Sequence, residues 1–276
     1  MASKHEWVEF LQWCLPRMRF RWAGYRRVRG QVIKRVKRRM GELDLSALHD
    51  YRSHLNDTPE EWNVLESYCS ITISRFYRDR DVFDSLHNNI LPQCIEAAVQ
   101  QCQTSFHVWS AGCASGEEAY TFKLLWHHMI RSNYPLLSLH ILSTDIRDNM
   151  LQRAREASYP LGSLRELPQA WIEPNFHIAE DECTLRPGLQ DNIEWLHQDI
   201  RKSQPDGPFD IIFCRNMVFT YLDQAWQQTL LQRFQERLQP WGTLVLGKHE
   251  SLPTPHCNWI ALDPHHRIYG LERSSL

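Results

Sequence analysis

A glycine-containing loop between a predicted strand and a predicted helix offers the first candidate for chemistry. Residues 108–120 read V-W-S-A-G-C-A-S-G-E-E-A-Y. Gly112 and Gly116 allow the backbone to turn sharply and to approach a ligand closely. The loop has neither the G-x-G-x-x-G spacing of dinucleotide sites nor the lysine of a P-loop. The acids Glu117 and Glu118 would repel a phosphate, so the loop favours a cationic ligand.

Polar residues also follow the next predicted strands, where open α/β sheets bind their ligands. Asp145 lies in L-S-T-D-I and suits the two hydroxyls of a ribose, although a helix N-cap explains it equally well. Asp199, in H-Q-D-I, could accept a hydrogen bond from an adenine amino group. Arg215 and Asn216 follow the buried run at residues 209–214. Together with the acidic loop, these strand ends predict a nucleoside cofactor that carries positive charge, such as S-adenosylmethionine.

Short apolar runs and amphipathic helices alternate after residue 105, which predicts βαβ units. The expected fold is α/β, a doubly wound and mostly parallel Rossmann-like sheet. The predicted strands are 106–111, 139–143, 193–196, 209–214 and 243–247, and the predicted helices are 117–131, 148–156 and 223–238. Residues 159–192 are rich in proline and polar residues, so they are predicted to form a small β-insertion, with strands near 176–178 and 184–186.

The chain before residue 90 is predicted to form a small all-helical domain, and residues 91–276 to form the sheet domain. A helix at about residues 25–40 has one apolar stripe flanked by arginines. Residues 17–39 hold eleven Lys or Arg and no acid. Because the formal net charge of the whole chain is −2, the rest of the chain has a net charge of −13. This asymmetry favours docking to an acidic protein surface or helix. The basic residues have two alternative roles. They could form a solvated face without a partner, or a stripe that binds the phosphates of nucleic acid.

Composition excludes several classes of protein. The 276 residues are 42% hydrophobic and 11% aromatic, which excludes disordered and low-complexity chains and allows a substantial core. No apolar run reaches the roughly 18–20 residues that a membrane span needs. Eight cysteines lie apart with no C-x-x-C pair, so neither zinc nor any other metal is expected. With no secretory signal at the N-terminus, the expected location is the cytoplasm.

Several motifs, in order along the chain, resemble those of the CheR-type chemotaxis receptor methyltransferases, which use S-adenosylmethionine. The resemblance runs from about residue 22 to the C-terminus. The matching segments are I-T-I-S-R-F-Y-R-D (71–79), W-S-A-G-C-A-S-G-E-E-A-Y (109–120), S-T-D-I (143–146), F-D-I-I-F-C-R-N (209–216) and L-Q-P-W-G-T-L-V-L-G-K-H-E-S-L (238–252). The glycine loop and the C-R-N strand together make the match specific. It implies a Rossmann-like methyltransferase fold, S-adenosylmethionine as cofactor and S-adenosylhomocysteine as product.

The resemblance also implies roles for individual residues. The expected cofactor-binding residues are Thr72, Ser74, Arg78, Gly112, Gly116, Glu118, Asp145, Asp199, Ile200, Asn216 and Met217. The expected catalytic residues are Arg75, Arg78 and Tyr221. Arg75 or Arg78 would orient an acceptor carboxylate through paired hydrogen bonds, and Tyr221 would shape the pocket near the methyl group.

The sequence departs from the family pattern at places that concern the acceptor. The family's T-N-x-T segment has Thr72 for its asparagine and Ser74 for its second threonine. One extra residue after C-R-N puts Thr220 in the place of the active-site tyrosine, with Tyr221 one step later. The family's G-H-S-E-S-L reads G-K-H-E-S-L, which introduces Lys248. The insertion lacks the glycine-rich stretch with which members hold a receptor's tail peptide, so no such tether is expected.

Three functions remain open on these grounds. The first is methylation of glutamate side chains of a chemoreceptor; a glutamate carboxylate is ionised near pH 7 and needs no general base. The second is a related methyltransferase for a small molecule or another protein; a hydroxyl or amine acceptor would require a base, with Lys248 or His249 as candidates. The third is a binding or RNA-directed module. Nucleic acid is not expected, because the N-P-P-Y type motif of base amino-methyltransferases is missing.

Overall fold

The computed structural model describes residues 2–272, which form two compact units. The helical unit holds the chain up to Ile73 together with Thr220–Trp226. The sheet unit holds Ser74–Phe219 and the chain from Gln227 onward. Each unit has an apolar core of its own. Within the described chain, no helix is both long enough and apolar enough to cross a membrane.

The helices of the helical unit turn their apolar faces to one core. They are α1 (Lys4–Cys14), α2 (Trp22–Tyr25), α3 (Arg29–Glu42), α4 (Leu48–Asp57) and α5 (Glu61–Cys69), with a 3-10 turn at Leu15–Met18. α1 begins in a capping box, in which the Glu6 N–H donates to Ser3 Oγ at 3.2 Å and the Ser3 N–H donates to Glu6 Oε2 at 2.6 Å. The buried residues of α3 are Val32, Val36 and Met40, which lie on the predicted stripe.

The segment Thr220–Trp226 packs with the helical unit, although it lies far from the other residues of that unit in the sequence. The Arg21 N–H donates to the carbonyl of Tyr221 at 2.9 Å. Gly24 lies against the carbonyl of Thr220, where an added Cβ would overlap the oxygen. The short helix α2 therefore requires glycine at this position.

The sheet unit contains a seven-stranded mixed sheet, which confirms the predicted Rossmann-like α/β fold. Its strands lie in the order β6 (Ile193–His197), β2 (Ser138–Asp145), β1 (Ser105–Ala111), β7 (Phe209–Cys214), β8 (Leu238–Leu246), β10 (Ile268–Leu271) and β9 (Trp259–Asp263). The strands from β6 to β8 are parallel, and β10 is antiparallel to both of its neighbours. The strand order reverses between β1 and β7, so the carboxyl ends of these strands flank the crevice where this fold binds ligands.

The remaining helices precede β1 or lie between later strands of the chain. They are α6 (Arg80–Ser85), α7 (Leu91–Gln100), α8 (Glu117–Leu125), α9 (Asp148–Glu156), α10 (Gln169–Asn175), α11 (Val218–Tyr221) and α12 (Gln224–Gln235), with π-helical turns at Leu86–Ile90 and Trp126–Ile130. α9 has the predicted bounds. The helix predicted at 117–131 is α8 followed by a π-helical turn, and the helix predicted at 223–238 ends earlier, as α12.

The inserted segment forms a small sheet of its own. β3 (Ser158–Pro160), β4 (Phe176–Ala179) and β5 (Glu182–Leu185) pair in the order β3-β5-β4, all antiparallel. The predicted pair of strands corresponds to β4 and β5, whereas β3 is too short to show a pattern in the sequence. The buried Tyr159 of β3 donates its hydroxyl hydrogen to the carbonyl of Ser115 at 2.7 Å, which ties the insertion to the glycine loop.

The structure corrects the predicted domain boundary. The two units divide after Ile73, whereas the sequence pattern predicts a boundary at residue 90. The reason is that Val82, Phe83 and the apolar side of α7 belong to the core of the sheet unit. Helical periodicity shows that a helix is amphipathic, but it does not show which core its apolar face joins.

The far edge of the sheet was also not predicted. β8 is longer than the predicted strand, and β10 and β9 extend the sheet by antiparallel pairing beyond it. These strands depend on partners distant in the sequence, and their own residues show little alternation. They complete the sheet without contributing a predicted site residue.

Candidate active site

The loop after β1 has the sharp turn that the sequence predicts. Gly112 and Gly116 have φ angles of +74° and +90°, which favour glycine. A Cβ on Gly112 would overlap Met217 Sδ, and one on Gly116 would lie 2.7 Å from the ring of Trp195. Both positions therefore require glycine, because the positive φ is unfavourable for other residues and neighbouring side chains occupy the space that a Cβ would need. The structure also brings Gly112 together with Met217, another of the expected cofactor residues.

Asp145 ends β2 and lies against the glycine loop. One oxygen of its buried carboxylate accepts a hydrogen bond from the Ala114 N–H at 2.9 Å. The other accepts from the Arg147 N–H at 2.9 Å and from Arg147 Nε at 3.2 Å. The N-cap of α9 is Arg147, so the alternative role of Asp145 as a helix N-cap is wrong. The carboxylate and the loop meet at one edge of the sheet, as a ribose site requires.

Asp199 follows β6 and is held in the same way. Its carboxylate accepts hydrogen bonds from the Arg201 N–H at 3.0 Å and from the Arg201 guanidinium at 3.0 and 2.9 Å. Burial raises the pKa of this carboxyl, but the hydrogen bonds from Arg201 outweigh burial and the pKa is lowered. The carboxylate is therefore an ionised acceptor at neutral pH. The next residue is Ile200, also an expected cofactor residue, and it is half-buried.

Asn216 follows β7 in a left-handed conformation, with φ of +57°. Its N–H and the N–H of Gly247 both donate to Oε2 of Glu250, each at 2.7 Å. A Cβ on Gly247 would lie 2.7 Å from Asn216 Oδ1, so glycine leaves room for the amide. Glu250 is buried and was not among the expected site residues. The signal that could have found it is the acid of the G-K-H-E-S-L motif.

A buried arginine joins two acids near the glycine loop. The Arg215 side chain is 3% exposed, and its Nη2 donates to Asp79 Oδ2 at 2.8 Å. Its Nη1 donates to Glu118 Oε2 at 3.3 Å, while Ser110 Oγ donates to the other oxygen of Glu118 at 2.7 Å. Glu118 therefore has both oxygens fixed. Sequence reasoning identified Glu118 and missed the pairing with Arg215 and Asp79.

Arg78 and Arg75 belong to the sheet unit but differ in their surroundings. Burial lowers the pKa of Arg78, and Asp79, Arg215, Arg75 and Glu118 all act on its charge. Arg75 forms an ion pair with Glu166, with Nε and Oε1 2.6 Å apart. Arg78 therefore lies in the electrostatic field of Glu118, whereas the ion pair of Arg75 is with the insertion. The catalytic roles of both arginines stay predictions.

Other expected residues fall in the helical unit or at its end. Thr72 lies in the helical unit, and Ser74 is the first residue of the sheet unit. Thr220 and Tyr221 also belong to the helical unit, where the ring of Tyr221 packs against Tyr25 with centroids 4.9 Å apart. The catalytic role of Tyr221 and the cofactor contacts of Thr72 and Ser74 stay predictions.

Lys248 does not have the properties of a general base. Its Nζ lies 2.5 Å from Asp81 Oδ2, and this hydrogen bond raises the pKa of the amine. The amine is therefore protonated at neutral pH and has no lone pair to accept a proton. His249 is exposed.

The residues at the strand ends fit S-adenosylmethionine chemically. Asp145 and Asp199 provide carboxylates for the hydroxyl and amino groups of adenosine, and Glu118 provides one for a cationic methionyl group. In the part of the chain that the structure describes, no group of three or more His, Cys, Asp or Glu side chains could hold a metal ion.

Similar proteins support this fit. A chemotaxis protein methyltransferase of Borreliella burgdorferi is 30% identical over 181 residues, covering 64% of this chain and 63% of that protein. One from Listeria monocytogenes is 26% identical over 230 residues, covering 83% and 81%. An uncharacterized 104.1 kDa protein of Rhodobacter capsulatus is 28% identical over 241 residues, 87% of this chain. The chain spans only 25% of that longer protein.

Among solved structures, the glycopeptide N-methyltransferase MtfA complexed with S-adenosyl-L-methionine aligns with 57% of this chain and 54% of its own, at 16% identity and a TM-score of 0.33. A likeness this low adds nothing to the assignment. The family model described as CheR methyltransferase, SAM binding domain, matches residues 72–265. Because that match covers more than half of the chain, the protein belongs to the CheR methyltransferase family, and residues 72–265 are its S-adenosylmethionine-binding domain.

Proposed function

We propose that this protein transfers the methyl group of S-adenosylmethionine to glutamate carboxylates of an acidic protein, with a chemoreceptor as the leading candidate. The observation that carries the proposal is the position of Arg78: its side chain is half-buried, and its carbonyl accepts a hydrogen bond from Arg215, the residue that also pairs with Glu118. A guanidinium can hold a carboxylate through two parallel hydrogen bonds, which suits a glutamate acceptor. Two of the relatives are named chemotaxis protein methyltransferases, which supports a link to chemotaxis.

The bound cofactor supplies an electrophilic methyl group on a sulfonium. Asp145 and Asp199 would hold the adenosine, and Glu118 would face the positive charge. Arg78 would orient the acceptor carboxylate in line with the methyl group. The glutamate is already ionised, with an unperturbed pKa of about 4.3, so no side chain has to remove a proton. The rate then comes from alignment of the reacting groups.

The basic helix would bring the acidic partner to the enzyme. On α3, Lys34, Lys37 and Arg38 are exposed. Arg35 and Arg39 are engaged within the helical unit: Arg35 Nη1 donates to the carbonyls of Tyr68 and Ser70, each at 2.8 Å, and Arg39 pairs with the buried Glu61. We therefore assign partner binding to the three exposed cations.

A second candidate is methyl transfer to a small molecule or to a different protein. Thr220 stands where the family has a tyrosine, and the ring of Tyr221 packs against Tyr25 within the helical unit. A pocket without the usual tyrosine would accept a different group near the methyl. The protonated Lys248 argues against amines and hydroxyls that need this residue as a base.

Radiolabelled S-adenosylmethionine and a host lysate test the proposal. We expect label in the protein fraction, released as volatile methanol by mild base, because carboxyl methyl esters hydrolyse readily. Label that resists base would contradict a carboxylate acceptor, and label confined to small molecules would favour the second candidate.

A matched pair of glycine variants controls the assay. Gly112→Ala should abolish labelling, because both its positive φ and Met217 exclude a side chain. Gly188→Ala should leave labelling intact, because a Cβ there has no neighbour within 4 Å.

A further inference from the structure

The segment that carries Arg78 has an unusual backbone. Tyr77 and Asp79, on either side of it, have φ angles of +55° and +59°. A left-handed conformation is unfavourable for residues with a Cβ, so two such residues in three positions need support from outside the segment. Part of this support comes from α8, where Thr121 Oγ1 accepts the hydrogen bond of the Tyr77 N–H at 2.9 Å.

Arg215 supplies further support. Its Nη2 donates to the carbonyl of Arg78 and to the carboxylate of Asp79, each at 2.8 Å. One guanidinium group therefore holds both the backbone of Arg78 and the side chain of the strained residue that follows. The ring of Phe83 lies beneath the guanidinium, 5.1 Å from ring centroid to Cζ, and closes this side of the cluster.

The same guanidinium reaches the glycine loop. Nη1 of Arg215 lies 3.3 Å from Glu118 Oε2, on the first turn of α8. A buried cation is stable only when it is paired and hydrogen-bonded, and Arg215 meets that condition with two carboxylates from different segments. Movement of either segment would therefore disturb the pairing of the other.

We propose that Arg215 is a positioning residue that couples the acceptor-orienting Arg78 to the cofactor-facing Glu118. The part that concerns Arg78 rests on the proposed function, whereas the part that concerns Glu118 rests only on cofactor binding. Lysine cannot replace Arg215, because an ammonium group lacks the planar fork that reaches Asp79, the Arg78 carbonyl and Glu118 together.

A double-mutant cycle on methyl transfer tests the first coupling. Arg215→Lys should lower kcat/KM for the protein acceptor by about tenfold or more, mainly through kcat, because Arg78 is misaligned. In the Arg78→Lys background, Arg215→Lys should lower kcat/KM by less than about threefold, because the group that Arg215 positions is already lost. The two variants should therefore be strongly non-additive.

A second cycle measures S-adenosylhomocysteine binding by calorimetry and needs no acceptor. Arg215→Lys should weaken binding about three- to tenfold, and should add little to the loss caused by Glu118→Gln. Asp79→Asn, which leaves Arg215 in place, should behave like Arg215→Lys in the first cycle. It keeps the test decisive if Arg215→Lys fails to fold.

Arg237→Lys is the matched control. This half-buried arginine also donates to carbonyls, those of Pro205 at 3.0 Å and Arg233 at 3.1 Å, away from the strand-end cluster. The effect of Arg237→Lys on kcat/KM should be additive with that of Arg78→Lys. Its effect on S-adenosylhomocysteine affinity should be additive with that of Glu118→Gln. Additive behaviour of Arg215→Lys in both cycles would overturn the coupling. If the wild type methylates no protein glutamate, the proposed function fails, and the calorimetric cycle still decides whether Arg215 supports Glu118.

Discussion

On α3, Lys34, Lys37 and Arg38 are exposed, whereas in the sheet unit Arg215 is buried between two carboxylates. The three cations of α3 lie in a region rich in charge and make few contacts. Arg215 is a single cation with several hydrogen-bonding partners. The basic stretch is conspicuous in the sequence, yet it mixes both kinds of residue, since Arg39 is bound to Glu61. The comparison teaches that the partners of an arginine, and not the local density of charge, indicate whether it serves structure or recognition.

The largest expected effect separates two adjacent arginines of α3. Arg39 donates to both oxygens of the buried Glu61, at 3.0 and 2.8 Å, whereas Arg38 is exposed and lies 3.6 Å from Glu42. Arg39→Ala should lower the free energy of unfolding by about 3 kcal/mol, because it leaves a buried carboxylate without its cation. Arg38→Ala should change it by less than about 0.5 kcal/mol. Urea unfolding measures both, and equal losses would contradict the distinction.

The same ion pair predicts a pH dependence. Burial raises the pKa of Glu61, but hydrogen bonds from Arg39 and Tyr51 outweigh it, so the folded-state pKa is lowered. A lowered pKa contributes stability above the unfolded value of about 4.3, and this contribution is lost as the pH falls through the folded value. Unfolding of wild type and Glu61→Gln from pH 6 to pH 3 should therefore converge at the acid end. A constant difference would rule out this titration.

A second effect concerns the strand ends of the sheet unit. Asp145→Ala should weaken S-adenosylmethionine binding about ten- to a hundredfold, because the predicted ribose contact, worth roughly 1.5–3 kcal/mol, would be lost. Asp148→Ala, at an exposed acid on the first turn of α9, should leave affinity within about twofold. Calorimetry measures both. Unchanged affinity in Asp145→Ala would count against the ribose assignment.

The exposed face of α3 should affect only the protein acceptor. Reversal of Lys34, Lys37 and Arg38 to Glu should lower kcat/KM for a protein acceptor about tenfold, with a loss that shrinks at high salt. Cofactor affinity should not change. This triple variant is preferable to one that includes Arg35 or Arg39, because those residues also hold the helical unit together.

The control for this experiment reverses three exposed arginines of the sheet unit, Arg131, Arg153 and Arg186. Activity that is equal in both triple variants, or independent of salt, would favour a solvated face without a partner.

The mildest of these substitutions is Tyr221→Phe. Its ring packs against Tyr25, so Tyr221→Phe should keep the packing and lower turnover by no more than about threefold. Tyr221→Ala should lower turnover severely, with cofactor affinity little changed. Steady-state kinetics with calorimetry separate these effects. Full activity of Tyr221→Ala would show that this ring takes no part in the reaction.

The sequence predicts the parts of the site that depend on local pattern. Gly112, Gly116, Asp145 and Asp199 follow apolar runs, and the ends of parallel strands meet at one edge of a sheet. The structure brings the glycine loop and Asp145 together through the Ala114 N–H, as that rule requires.

The contacts that fix the site were not predictable in this way. Arg215 pairs with Asp79 across 136 residues, and Glu250 holds Asn216 across 34. No local pattern reports such pairings, because they form only when distant segments fold together. The boundary after Ile73 has the same origin, since the helices at residues 80–100 pack on the sheet and not on their neighbours in sequence.

Peptide mapping of a methylated acceptor by mass spectrometry shows directly which side chain receives the methyl group. An acidic protein acceptor is incubated with S-adenosylmethionine and either the wild type, Arg78→Lys or the triple reversal on α3. We expect a single methyl ester on glutamate side chains with the wild type. We also expect a lower kcat with Arg78→Lys and a higher KM with the triple reversal, because we propose that the half-buried Arg78 aligns the carboxylate and that the exposed cations bind the partner. Methylation at lysine, serine or a nucleobase, or a loss of kcat from the triple reversal alone, would contradict this proposal.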